Sequence, residues 1–405
     1  MSSPVINISC TTRVSLPERR ICSSPVEKMT GQLIISVFPL PVAASHSSIA
    51  FMADIKIFEP TLSTRLRHLE PEQRTAIASR CWPTAESTSL LHNDSAFFDH
   101  LQNEVNLVKH HKDRYAVGTI EEVIYLINTM RHNSYNRLSE LTHALSSIYP
   151  HADEKAVQRS LELCIRLWLT INMNSPSLAI GPTYPLEMPL TWDKNASLND
   201  LIQSRWEARG GPKLNPESQL DDTFTAAYLV NICGMTLQWT EYLSDHLIMD
   251  PQRKVLTLFK HKAYLHSRLK SKEENPVPIQ VIEEALDTLN LLLPFGDSAT
   301  KQLLSRSGQL SIYQLGNLGR ERKLDLACYN YWKEELETLA GLFSRPPRTW
   351  RQLATDRRNL SEWAAFWVTA MIAVLTLVSI PCNLIQATYS VRAYNAAVAQ
   401  ARRHC

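Results

Sequence analysis

The chain has 405 residues, 44% hydrophobic and 20% charged, enough to bury one large core or two ordinary ones. Its 42 basic and 40 acidic side chains leave a formal net charge of +2, so no global field draws in nucleic acid and no nucleic-acid partner is expected. With 11 glycines, and 8 cysteines scattered from Cys10 to Cys405 without a CxxC pair, it lacks the makings of a Gly-rich nucleotide loop, a disulfide framework or a zinc knuckle.

Residues 1–51 are rich in Ser, Thr and Pro, and their apolar run Leu33 to Phe38 is followed by Pro39 and Pro41, poor material for a secretory signal. They are expected to be a disordered or dispensable N-terminal segment, with Met52 opening a fresh start. Residues 52–173 read as an N-terminal helical region. Glu70 and Pro71 open a short helix through Cys81. Phe97, Phe98, Leu101, Val105 and Val108 recur at spacings of three and four, the buried face of a second helix that ends in the charged stretch His110 to Arg114. Thr119 with Glu121 and Glu122 has an N-cap pattern, and further helices are expected over 137–148 and, behind Asp153, over 155–172. Short connectors between successive helices mark a bundle.

Residues 174–196 form a Pro-rich connector from which Met188, Leu190 and Trp192 are expected to lie across the bundle. A second helical region, 197–344, carries the β signal. Alternation over 235–240 and 254–259 predicts a two-stranded antiparallel ribbon within 235–259, packed through Leu237, Trp239, Leu256 and Phe259. Helices over 260–271, over 279–292 and, as one long amphipathic element, from Glu321 to Phe343 follow. The fold class is therefore mainly α: a bundle-like helical domain with a small β ribbon, followed by one C-terminal transmembrane helix.

Trp363 to Val391 holds no charged side chain. Its apolar part, residues 363–385, would rise about 34 Å as a helix, matching a hydrocarbon core of about 30 Å. Trp363 and Trp367 at one end and Tyr389 at the other place amphipathic rings at the two headgroup layers, and Pro381 removes one backbone donor and is expected to kink the helix. The juxtamembrane segment 345–362 carries Arg345, Arg348, Arg351, Arg357 and Arg358; the short basic tail 386–405 carries Arg392, Arg402 and Arg403. This excess favours a cytoplasmic N-terminal domain, and the same arginines suit anionic headgroups.

QWTEYLSDHL at 238–247, SIYQLG at 311–316, YNYWKEEL at 329–336 and PPRTWRQLATDRRNLSEWAAFW at 346–367 resemble a group of uncharacterised filamentous-fungal proteins, mainly over 232–385. The resemblance implies a helical domain with a membrane helix and carries no catalytic residue or cofactor.

The sequence has no G-x-S-x-G, H-E-x-x-H, G-x-x-x-x-G-K or G-x-G-x-x-G motif, so no catalytic residue, metal ligand or cofactor is assigned. Asp245 and His246, with His261 and His266, form the best polar cluster, since a ribbon would fold them toward one helix, but a satisfied core histidine is the default. His110, His111 and Asp113 are neighbours that diverge around a helix, and Ser267 with Lys270 has an S-x-x-K spacing expected on a solvated face. Tyr329, Tyr331 and Trp332 at helical spacing read as core. The resulting expectation is a membrane-anchored interaction or scaffold module, with the lipid bilayer and a protein as partners and the oligomeric state open. The alternative is a membrane-bound enzyme acting on an apolar substrate in a helical pocket.

Overall fold

The computed structural model describes residues 66, 69–83, 91, 94–175, 186–207, 219–271, 275–345, 354 and 360–403. The segment 1–51 and the arginines Arg348, Arg351, Arg357 and Arg358 lie outside these residues. Through the first half run α1 (Pro71–Cys81), α2 (Ser95–His110), α3 (Ile120–His132), α4 (Leu138–Ser146) and α5 (Glu154–Leu169), close to the expected bounds. Each start has a local cause. Asp94 accepts from the Ala96 and Phe97 N–H groups, Thr119 and Glu122 close a capping box, and Asp153 accepts from the Ala156 N–H.

Helix α5 is the centre of this half, because every residue from Ser160 to Thr170 is buried. A helix buried on all sides must be surrounded, and α2, α3 and α4 all pack on it. Thr170, in the left-handed conformation at φ 51°, stops it. The Trp168 carbonyl near this end accepts from Trp82 Nε1 at 2.8 Å and Tyr264 Oη at 2.9 Å, so two side chains distant in sequence meet a helix-end acceptor.

After α6 (Leu198–Arg205) and α7 (Ala226–Asn231) the chain enters a small mixed sheet of β1 (Thr236–Thr240), β2 (Met249–Asp250) and β3 (Val255–Phe259), in the order β1-β3-β2. The expected ribbon is corrected here: β1 and β3 pair in parallel, from Thr236 opposite Val255 to Thr240 opposite Phe259. The cause lies in the connection. A 3-10 turn at Leu243–Asp245 and a left-handed Leu247 redirect the chain, and β2 takes the antiparallel position on the other edge of β3. Leu256 and Phe259 are fully buried as expected, whereas Leu237 and Trp239 are half-buried.

The second half continues with α8 (Lys262–Leu269), α9 (Ile279–Leu292), α10 (Ser298–Arg306), α11 (Leu310–Gln314) and α12 (Lys333–Phe343). Helix α10, capped by Asp297, adds an element to those expected, and SIYQLG is mostly the short helix α11. The long helix expected from Glu321 shrinks to α12. Glu284 of α9 accepts from the backbone N–H groups of Asn330, Tyr331 and Trp332 at 2.7, 2.7 and 2.8 Å, and those groups are thereby committed outside a helix. Met188 is exposed while Trp192 is buried, so the connector covers the bundle through Trp192. Last comes α13 (Leu360–Arg403), 44 residues of helix that continue through Pro381.

Candidate functional site

Parallel pairing of β1 and β3 decides what stands together. Both strands end at the same side, so Glu241, directly after β1, emerges beside Lys260 and His261, directly after β3. An antiparallel pair would have put these residues at opposite ends of strands about 16 Å long. Glu241 Oε2 accepts from His261 Nε2 at 2.6 Å, and Oε1 meets Lys260 Nζ at 2.5 Å.

Helix α2 delivers the next group. His100 lies on the helix's buried face beside Phe97 and Leu101, with its Nδ1 3.8 Å from Glu241 Oε2. The ligand-capable atoms of His100, Glu241 and His261 all lie within 4.8 Å of one another. His100 and His261 are 1% and 0% exposed, while the Glu241 side chain keeps 28% of its surface in contact with solvent. Aromatic rings form the walls: Phe97 stands edge-on to His261 at 5.3 Å, Phe259 at 5.4 Å, and Tyr242 edge-on to His100 at 5.7 Å.

The electrostatics follow from this burial. Burial pushes the His100 imidazole down to about 4, opposed by Glu104, reinforced by His261 and again opposed by Glu241. Burial also works against the charge of Glu241, yet the His261 hydrogen bond and the nearby His100 and Lys260 hold its carboxyl down at about 2. Asp94, the α2 cap, is raised by burial, with His261 and Lys260 pulling the other way. Chemically, the arrangement is an ionised carboxylate with two imidazoles at its edge, suited to hold a cation or a proton.

A second network adjoins the first. Glu104, one turn along α2 from His100, takes Arg166 Nε of α5 at 2.7 Å and the Tyr242 hydroxyl at 2.5 Å. Burial disfavours the Glu104 charge, but Arg166, His100 and Tyr242 outweigh it and lower its pKa.

The residues singled out from sequence are distributed otherwise. Asp245 and His246 do not act together: the Asp245 carboxylate takes Asn172 Nδ2 at 2.9 Å, whereas His246 Nδ1 accepts from the Phe259 N–H and its Nε2 meets Thr288 Oγ1 at 2.7 Å. His246 is a fully bonded core residue. His266 is half-buried on α8, away from the ligand set of His261. Ser267 is buried, contrary to the solvated face expected of it, while Lys270 is exposed at the end of α8. His110 and Asp113 are exposed and His111 half-buried, as a charged helix end should be. Trp363, Trp367, Pro381 and Tyr389 all lie on α13, and Arg345 is exposed just after α12.

His100, Glu104 and Glu241 were missed. The signal for His100 and Glu104 is a histidine and a glutamate, four apart, inside the apolar stripe of α2, where a polar residue must find a buried partner; Glu241, just after β1, carries no such mark. Comparison of the chain with known protein families, with curated proteins and with solved structures found no match.

Proposed function

We propose that this is a single-pass membrane protein whose helical domain works as a protein-interaction or scaffold module at a membrane surface, with that domain on the cytoplasmic side. One observation carries the reading. Ser361–Arg402 is apolar enough to cross a bilayer, at a mean hydropathy of 2.1, and none of its most apolar window is buried. A core helix of that composition would be covered by protein, and the lipid bilayer is the partner that removes such a surface from water. The arginines ahead of the span support the orientation, and the free thiols of Cys81 and Cys164 in the core fit a reducing compartment. The resemblance over 232–385 belongs to the same reading.

The alternative, an enzyme with an apolar substrate pocket, gains nothing from Asp245 and His246. A cavity among Ile77, Trp82, Leu101, Ile124 and Leu167 is apolar but holds only about 30 Å³. That is far below the roughly 300 Å³ at which small-molecule pockets begin, so it takes no lipid-like substrate. Alkaline carbonate extraction of membranes carrying the full chain tests the proposal: it should stay in the pellet, and release into the soluble fraction overturns it. Protease protection of tags at both ends tests the orientation.

A further inference from the structure

The buried cluster at the end of the parallel strand pair has more polar capacity than the protein itself uses. His100 Nε2 and His261 Nδ1 are both buried and neither has a hydrogen-bond partner. The opposite ring nitrogens, His100 Nδ1 and His261 Nε2, are the ones nearest the Glu241 carboxylate, so each of the three side chains offers a donor atom toward a common point, all within 4.8 Å of one another. His100 Nδ1, 3.8 Å from Glu241 Oε2, stands beyond hydrogen-bonding reach of that carboxylate.

We propose that His100, Glu241 and His261 form a binding site for a divalent transition metal ion of the zinc class. Two imidazoles and one carboxylate are a donor set that such ions favour, with a further position left for water or substrate. The spacing suits the ion as well. Two ligands about 2.0–2.1 Å from a tetrahedral ion stand about 3.3 Å apart. Glu241 Oε2 is 2.6 Å from His261 Nε2 and 3.8 Å from His100 Nδ1, so small opposite shifts bring both to that value. The bond from His261 to Glu241 is the contact the ion replaces, and the free Nδ1 of His261 takes the ring proton when Nε2 turns to the metal.

Access is through Glu241, the solvent-touching member of the set. Lys260 now neutralises its other oxygen, Oε1, from a side chain that is 16% exposed and long enough to swing into water. Lysine here is the cation that a metal ion displaces. Asp94, close enough to both His261 and Lys260 to affect the cluster electrostatically, supplies a second negative charge. The membrane reading is independent of this site, since α13 contributes no residue to it.

The test uses the full chain in detergent, stripped with a chelator, then titrated with Zn²⁺ by calorimetry and with Co²⁺ by visible absorption. One equivalent should bind, with Co²⁺ bands of a four- or five-coordinate site. His100→Gln, His261→Gln and Glu241→Gln should each weaken Zn²⁺ by about tenfold or more. Lys260→Met should tighten it, and His110→Asn with His111→Asn should leave it unchanged. Circular dichroism checks each fold. Should a buried histidine variant fail to fold, the partly exposed Glu241→Gln and Lys260→Met decide. The proposal is overturned if the folded wild type takes up no ion, if binding survives Glu241→Gln, if Lys260→Met weakens it, or if the His110 and His111 pair accounts for it.

Discussion

Arg166 and Glu104 form an ion pair inside the helical domain, with Arg166 Nε 2.7 Å from Glu104 Oε2 and side chains 9% and 6% exposed. It ties α5 to α2, and the remaining polar atoms are used: Tyr242 donates to the other Glu104 oxygen and Arg166 Nη1 donates to the Met173 carbonyl at 2.7 Å. Glu104→Ala should therefore cost about 3–5 kcal/mol, because it strands a buried guanidinium. Glu104→Leu combined with Arg166→Met should cost clearly less than the sum of the single changes. Urea unfolding of the four proteins in a double-mutant cycle measures this, and strict additivity would show that the pair is not coupled.

His246 gives the domain an acid limit. Burial lowers its pKa to about 3, while the ordinary value in an unfolded chain is 6.5. Between those values the unfolded chain binds the extra proton, so stability is full above pH 6.5 and falls as pH drops toward 3. Its Nδ1 accepts from the Phe259 N–H, which places the proton on Nε2 for Thr288, so protonation would break a bond already made. His246→Gln should be less stable than wild type at pH 7, and the gap should narrow by about 2 kcal/mol between pH 6.5 and 5. Denaturant midpoints of both proteins over that range check the sign; a constant gap would refute it.

Much of the helical half was legible because its information is local. Caps such as Asp94, Thr119 and Asp153 and the spacing of Phe97, Leu101, Val105 and Val108 act within one or two turns. What failed was long-range. β1 and β3 alternate equally well in either direction, and only the path through Leu247 and β2 makes them parallel. The cluster depends on that direction, since His100 and His261 are brought to Glu241 from elements far apart in the chain. The apolar stripe from Leu324 to Leu339 suggested one helix because the Glu284 carboxylate, which captures the backbone at Asn330 to Trp332, leaves no trace in the spacing.

That capture is itself open to test. Glu284 is 5% exposed and takes three N–H groups, and Trp332, the last of them, also donates its Nε1 to the His246 carbonyl at 3.1 Å. Three residues along α9, Asp287 holds Arg320 with both oxygens, at 2.6 and 2.9 Å. Segment 317–332 is thus fastened along α9, at Glu284 and Asp287 and also where Asn290 donates to the Asn317 carbonyl and Arg322 to the Leu291 carbonyl. Glu284→Ala should cost about 2–4 kcal/mol by leaving buried donors unpaired, and Glu284→Gln should recover little, because its amide NH₂ opposes the donors. Hydrogen exchange should show faster loss of protection at Asn330, Tyr331 and Trp332 than in the α2–α5 core; unchanged protection there would remove Glu284 from this role.

Helix α13 makes the sharpest demand on its surroundings. Leu375 stands near the middle of the apolar run and is 63% exposed, and its neighbours Ile372, Val374, Val378 and Ile380 are exposed as well. Polar atoms along the helix are turned inward: the Thr369 hydroxyl donates to the Ala365 carbonyl and Thr376 to Ile372, both at 2.8 Å, so neither needs water. At 44 residues the helix is about 66 Å long, so on the proposed reading a bilayer would take only part of it and the stretch beyond Tyr389, with Arg392, would project past the headgroups. Leu375→Arg should then cost about 2.5–3.5 kcal/mol of insertion and shift protein from the carbonate-resistant pellet into the soluble fraction. Tyr394→Arg, outside the hydrocarbon, should leave the distribution as in wild type. Equal behaviour of the two variants would mean that α13 does not sit in the bilayer at the depth its apolar run assigns.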